Sequence, residues 1–203
     1  MPIFCFAQDP LRFATEVAKF EDLAEQFPKE NRIVFTGSSS IRLWTDFKSY
    51  FPNHNVINTG FGGSETSDLI HYKEELILNF EPRQVFIYEG DNDINAGETG
   101  LDVYLELVLL ALDLIDEGVE QIVIISPKPS IARWHLKEEY EALNEVLATS
   151  AQLSERIIFA DVWTPMLNKD GSLKEDLFQE DDLHMNKKGY DIWIKVISPL
   201  LLD

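Results

Sequence analysis

Residues 84–93 read QVFIYEGDND, and the change of character halfway along that stretch decides the fold. Gln84–Tyr88 is apolar at consecutive positions instead of alternating, which suits a strand buried on both faces of a parallel sheet. The chain then turns at once to Gly90, Asp91, Asn92 and Asp93. The same switch recurs outward in both directions. Arg32–Thr36, Asn55–Asn58, Gln121–Ser126 and Arg156–Asp161 read as further short buried strands, each followed by polar or glycine-rich residues. Helical periodicity fills the gaps at Leu11–Phe27, Ile41–Tyr50, Thr66–Asn79, Asp102–Glu117, Leu136–Ala151 and Asn186–Leu201. Strand and helix alternate almost throughout, which predicts an α/β protein: a three-layer α/β/α sandwich on a parallel sheet. In the last helix Tyr190, Trp193, Ile194 and Ile197 form a core-facing stripe, with Asn186 as its N-cap.

The chain has 203 residues, 45% of them hydrophobic, enough for one sizeable core, and no repeat or linker divides it. A single domain over residues 1–203 is expected. Thirteen Phe, six Tyr and four Trp exclude a disordered chain. Seventeen basic against 36 acidic residues give a net charge of −19, which repels nucleic acid and anionic membranes and favours a small neutral or cationic substrate. The single cysteine, Cys5, has no partner for a disulfide or a zinc site and reads as packing. The N-terminus lacks the basic and apolar regions of a secretory signal, and no run is long enough to span a bilayer, so a cytoplasmic location is expected. Asp102–Glu117 carries two apolar stripes, Val103/Leu107/Leu110/Leu114 and Leu105/Leu109/Leu112. A helix buried on both sides is the favoured reading; a subunit interface in a homo-oligomer is the other.

Ligands of open α/β sheets sit beyond the carboxyl ends of the strands, so the residues just after each strand matter most. The first strand leads into Thr36-Gly37-Ser38-Ser39-Ser40 and the second into Asn58-Thr59-Gly60-Phe61-Gly62-Gly63-Ser64. The third leads into Glu89-Gly90-Asp91-Asn92-Asp93, and Asp181-Asp182-Leu183-His184 precedes the last helix. These supply a hydroxyl, a glycine turn, a carboxamide and a carboxylate–imidazole pair, the parts needed for acyl transfer. A serine needs a base to take its proton, and imidazole titrates near neutrality. Asp181, three residues before His184, can hold the ring in the required tautomer. The Ser39 amide, the Gly63 amide and the Asn92 side-chain NH2 are candidate donors to an oxyanion.

The four segments IVFTGSSSIRLW, VINTGFGGSET, YEGDND and DDLHMNKKGY, in that order, resemble the sequence blocks of the SGNH hydrolase superfamily, which includes the GDSL lipases and esterases. The resemblance puts Ser39 at the nucleophile, Gly63 and Asn92 at the oxyanion hole, and Asp181 and His184 in the triad. It implies a five-stranded parallel sheet of order 2-1-3-4-5 and hydrolysis of a small-molecule ester without metal or organic cofactor. The family's G-D-S is here Gly37-Ser38-Ser39, so the usual aspartate before the nucleophile is a serine. By chemistry alone Ser38, Ser39 and Ser40 all stay open, and a non-catalytic ligand- or carbohydrate-binding module or an acyltransferase would use the same fold.

Other readings are weaker. Asp91, Asp93, Asn95 and Asp102 make only a degenerate calcium loop, with Ala96 at the glycine position, and Asp93 reads as a structural hydrogen-bond partner or helix cap. An α/β-hydrolase elbow would need glycine where Ile41 stands. His54 and His71 read as surface. Arg133, Trp134 and His135, in the loop after the fourth strand, either touch substrate or cap the next helix.

Overall fold

The computed structural model describes residues 9–202, and Cys5 lies outside them. Every apolar run forms a strand close to its expected bounds: β1 (Arg32–Gly37), β2 (Asn55–Asn58), β3 (Gln84–Tyr88), β4 (Gln121–Ile125) and β5 (Ile157–Ala160). They pair in parallel in the order β2-β1-β3-β4-β5. Helices cover both faces, giving a three-layer sandwich of the flavodoxin-like order. Successive strand residues point to opposite faces. Val85, Ile87, Ile122 and Ile124 enter one core cluster, and Phe86, Tyr88, Val123 and Ile125 enter the other.

The helices are α1 (Ala14–Val17), α2 (Ser39–Arg42), α3 (Phe47–Tyr50), α4 (Thr66–His71), α5 (Lys73–Leu76), α6 (Asp91–Ala96), α7 (Gly100–Asp116), α8 (Lys137–Ala151) and α9 (Lys187–Ile197). Three of the expected helices are broken. Over Leu11–Phe27 only α1 is α-helical, among 3-10 turns, because its two halves serve different cores. Phe13 and Val17 join the cluster under α7, whereas Leu23, Ala24 and Phe27 cover Val34, Ile57 and Phe80. Ile41–Tyr50 splits into α2 and α3, a break that lets Trp44, Phe47 and Phe51 all converge on Phe35. Thr66–Asn79 breaks at Tyr72, whose hydroxyl donates to the Pro10 carbonyl, and ends in a 3-10 turn at Leu78–Phe80.

Helix α7 corrects the favoured reading. Val103, Leu107, Leu110, Ala111 and Leu114 are buried, but Leu105, Leu109 and Leu112 face solvent. Among the described residues no helix is long and apolar enough to cross a membrane.

Candidate active site

The strand order reverses direction at β1: from there the chain adds β2 on one side and β3 on the other. The loops leaving β1 and β3 therefore diverge and open a crevice at the carboxyl edge. Gly37 ends β1 opposite Tyr88, the last residue of β3. Its φ is 118°, and a Cβ there would lie 2.1 Å from the Tyr88 carbonyl oxygen, so only glycine brings the chain this close. The Ser38 amide then donates to that carbonyl at 3.0 Å, and α2 begins at Ser39.

The last helix meets the first turn through aromatic packing. Tyr190 of α9 stacks on Trp44 and donates from its hydroxyl to the Ser40 carbonyl at 2.9 Å. Asn186 caps α9 as expected, accepting from the Lys188 amide. His184, two residues before that cap, thus arrives above α2. Its Nε2 lies 2.9 Å from Ser39 Oγ, and its Nδ1 lies 2.6 Å from Asp181 Oδ2. The other Asp181 oxygen accepts from the amides of Leu183 and His184. Burial pushes the Asp181 carboxyl up, but the His184 ring and these two amides outweigh it and lower the group from 3.8 to about 2. An ionised Asp181 can only accept, so His184 Nδ1 carries the proton and its Nε2 lone pair faces the Ser39 hydroxyl. Ser38 and Ser40 are buried and lie off this line.

Asn92 approaches from α6. Its Nδ2 donates to Ser38 Oγ and to the Ser64 carbonyl, both at 2.7 Å. Its Oδ1 accepts from Arg133 Nη2 at 2.9 Å. Because Arg133 can only donate, it fixes which end of the amide faces the β1 turn. Gly63, with φ of 75° and open space around its Cα, sits exposed next to Ser64. The glycine turn is braced from the N-terminal segment, where Glu16 accepts from the Gly62 amide and Phe13 packs edge-on against Phe61.

Arg133 and Lys128 are contributions that the sequence left unresolved or unnoticed. Both come from the loop after β4 and both pair with the buried Asp91, Arg133 at 2.6 Å and Lys128 at 3.5 Å. Tyr88 and Tyr140 also donate to Asp91. Burial opposes its charge, yet Lys128 and Arg133 prevail and keep it ionised with a pKa of about 2. Lys128 reaches on to the Leu183 carbonyl at 2.9 Å, and the Ala132 amide donates to the Asp182 carbonyl at 3.0 Å. One loop therefore steadies both Asn92 and the turn that carries His184. Trp134 stacks on Trp163 and His135 is exposed; the 3-10 turn Trp134–Leu136 leads into α8.

Asp93 accepts from the Thr66 and Gly90 amides, so it is structural, as expected. With Asp91 and Asp93 both occupied by protein donors on a helix, the calcium-loop reading fails. Glu98 and Glu106 lie beside Asp93. Burial first, then the charges of Asp93, Glu106, Glu65 and Asp102, raise Glu98 from 4.5 to about 7. The folded state then holds a proton that the unfolded chain has released, so stability falls as pH rises from the ordinary carboxylate range through 7. Glu98→Gln should flatten this slope, leaving a higher Tm than wild type at pH 8; thermal melts across pH 5–8 measure it, and parallel slopes would refute it.

Residues 34–192 match the model of the GDSL-like Lipase/Acylhydrolase family. No match was found among curated proteins. Among solved structures, a Streptococcus pneumonia protein superposes with a TM-score of 0.82 at 19% identity, covering 95% of this chain and 94% of its own. A GDSL-like lipase from Bacteroides thetaiotaomicron gives 0.75 at 22% identity, covering 95% and 97%. A catalytic mutant of an acetylxylan esterase from Geobacillus stearothermophilus gives 0.71 at 15%, covering 85% and 94%. At these identities the structures speak for the fold, while the family model spans most of the chain. The protein belongs to the GDSL-like lipase/acylhydrolase family and is a hydrolase of the esterase/lipase type.

Proposed function

We propose that this chain hydrolyses a small acyl ester with Ser39 as nucleophile, His184 as general base and then acid, and Asp181 as the group that orients it. The observation that carries this is the continuous line from Asp181 through His184 to Ser39 Oγ, with contacts of 2.6 and 2.9 Å. Ser39 Oγ attacks the ester carbonyl while its proton passes to His184 Nε2. The tetrahedral oxyanion takes hydrogen bonds from the Ser39 and Gly63 amides and from Asn92. Its collapse expels the alcohol, which takes the proton from His184, and water deprotonated by the same imidazole releases the acid.

Exposure of the site suits a bulky alcohol. The side chains of His184 and Asp181 are 22% and 48% accessible, so a bulky alcohol can approach them from solvent. An acetylated sugar fits that description, and one relative in fold is an acetylxylan esterase. A fluorophosphonate probe tests the nucleophile. Wild-type protein should be labelled on Ser39, and His184→Ala should lose most of the labelling. Labelling at another residue, or none in folded protein, would reject the assignment and favour a binding module.

A further inference from the structure

Helix α7 is amphipathic in an unusual sense: one side is core, and the other is apolar too. Leu101, Leu105, Leu109 and Leu112 are 61, 48, 64 and 47% exposed. With the half-buried Val108 and Ile115, positions 101, 105, 108, 112 and 115 advance by alternating steps of four and three. That is the spacing of a coiled-coil seam, the shape that receives another helix lengthwise. We propose that this face pairs with the same helix of a second copy, antiparallel and across a two-fold axis.

The seam matches itself when reversed. Leu101 falls opposite the partner subunit's Leu112, and Leu105 opposite the partner subunit's Val108, so the four layers that these residues form are apolar, while Ile115 lies past the end of the partner helix. Such self-complementarity is what a two-fold contact requires. In this register Asp102 falls level with the partner subunit's Ala111, and Asp113 level with the partner subunit's Gly100. The available area sets the strength of the pairing. Half-exposed leucines present on the order of 100 Å² each, so the four make an apolar patch of about 400 Å², within the range that on a monomer marks a functional surface. With the half-buried Tyr104, Val108 and Ile115 the strip stays below the roughly 800 Å² per partner of a standard interface, the size of a weak dimer that forms at high protein concentration. The opposing term is charge, since each copy carries −19. The association should therefore tighten as salt screens that repulsion.

Sedimentation velocity on the full chain at tens of micromolar, in roughly 0.05 and 0.5 M salt, reads the outcome. The proposal expects a doubled mass that is more populated at high salt. Leu105→Glu with Leu109→Glu should return it to a monomer with unaltered kcat on p-nitrophenyl acetate. For register, Leu101→Cys with Leu112→Cys, in a Cys5→Ser background, should give a covalent dimer on mild oxidation. A wild-type monomer at both salt concentrations would overturn the proposal and leave the stripe to a different partner, such as a basic helix drawn by the flanking acids. A dimer that survives the double glutamate change, or that the paired cysteines cannot trap, would overturn it equally.

Discussion

Ser39→Ala should lower kcat on p-nitrophenyl acetate by on the order of a thousandfold or more, with the fold intact. The size follows from what is lost. Without the hydroxyl there is no acyl-enzyme, and only water activated in a site shaped for another nucleophile remains. Folding should survive because the Ser39 side chain reaches outward to His184 and the core does not depend on it. Its neighbours are poorer candidates: Ser38 Oγ is held by Asn92, and Ser40 is buried beneath α9, its carbonyl taken by Tyr190. Steady-state kinetics together with circular dichroism decide the matter. Full activity in a well-folded Ser39→Ala protein would end the triad assignment.

Asn92→Ala should cost roughly a hundred- to a thousandfold in kcat, with a much smaller change in KM, because in the proposed mechanism the lost donor acts on charge that exists only in the transition state. Arg133 enters the same account. It holds Asn92 Oδ1 and Asp91 together, so Arg133→Lys keeps a cation beside Asp91 but gives up the two-pronged grip. That variant should lose part of what Asn92→Ala loses. The double variant should fall no further than Asn92→Ala alone, since without the amide there is nothing left for Arg133 to aim. A double-mutant cycle in kcat measures this coupling. Additive losses would mean that Arg133 serves stability or substrate contact instead.

Much of this architecture was legible in the sequence, for identifiable reasons. Consecutive apolar residues such as VFIY have one good home, a strand covered on both sides, and their order with the intervening helices left few topologies. The carboxyl-edge rule singles out the segments that hold Ser39, Asn92 and His184, and the resemblance to the SGNH blocks then selects Ser39 among three serines. What stayed hidden depends on long-range partners. The breaks at Trp44 and Tyr72 arise because buried aromatic and hydroxyl groups meet residues far along the chain, which helical periodicity does not encode. Lys128 looks like a surface lysine in a Pro-rich loop. Only the folded chain shows it buried against Asp91 and the Leu183 carbonyl. The second stripe of α7 was visible, but periodicity counts apolar residues without saying whether anything covers them.

Both amide hydrogens of Asn92 are occupied in the resting protein, one by Ser38 Oγ and one by the Ser64 carbonyl. In the proposed mechanism the oxyanion therefore wins its donor by exchange, displacing a neutral hydroxyl. A neutral ester carbonyl offers Asn92 little advantage over Ser38, whereas a full negative charge offers a bond about twice as strong. Ser38 thus acts as a reference acceptor. It keeps the amide satisfied while the site is idle and yields it only to the species that the reaction needs to favour.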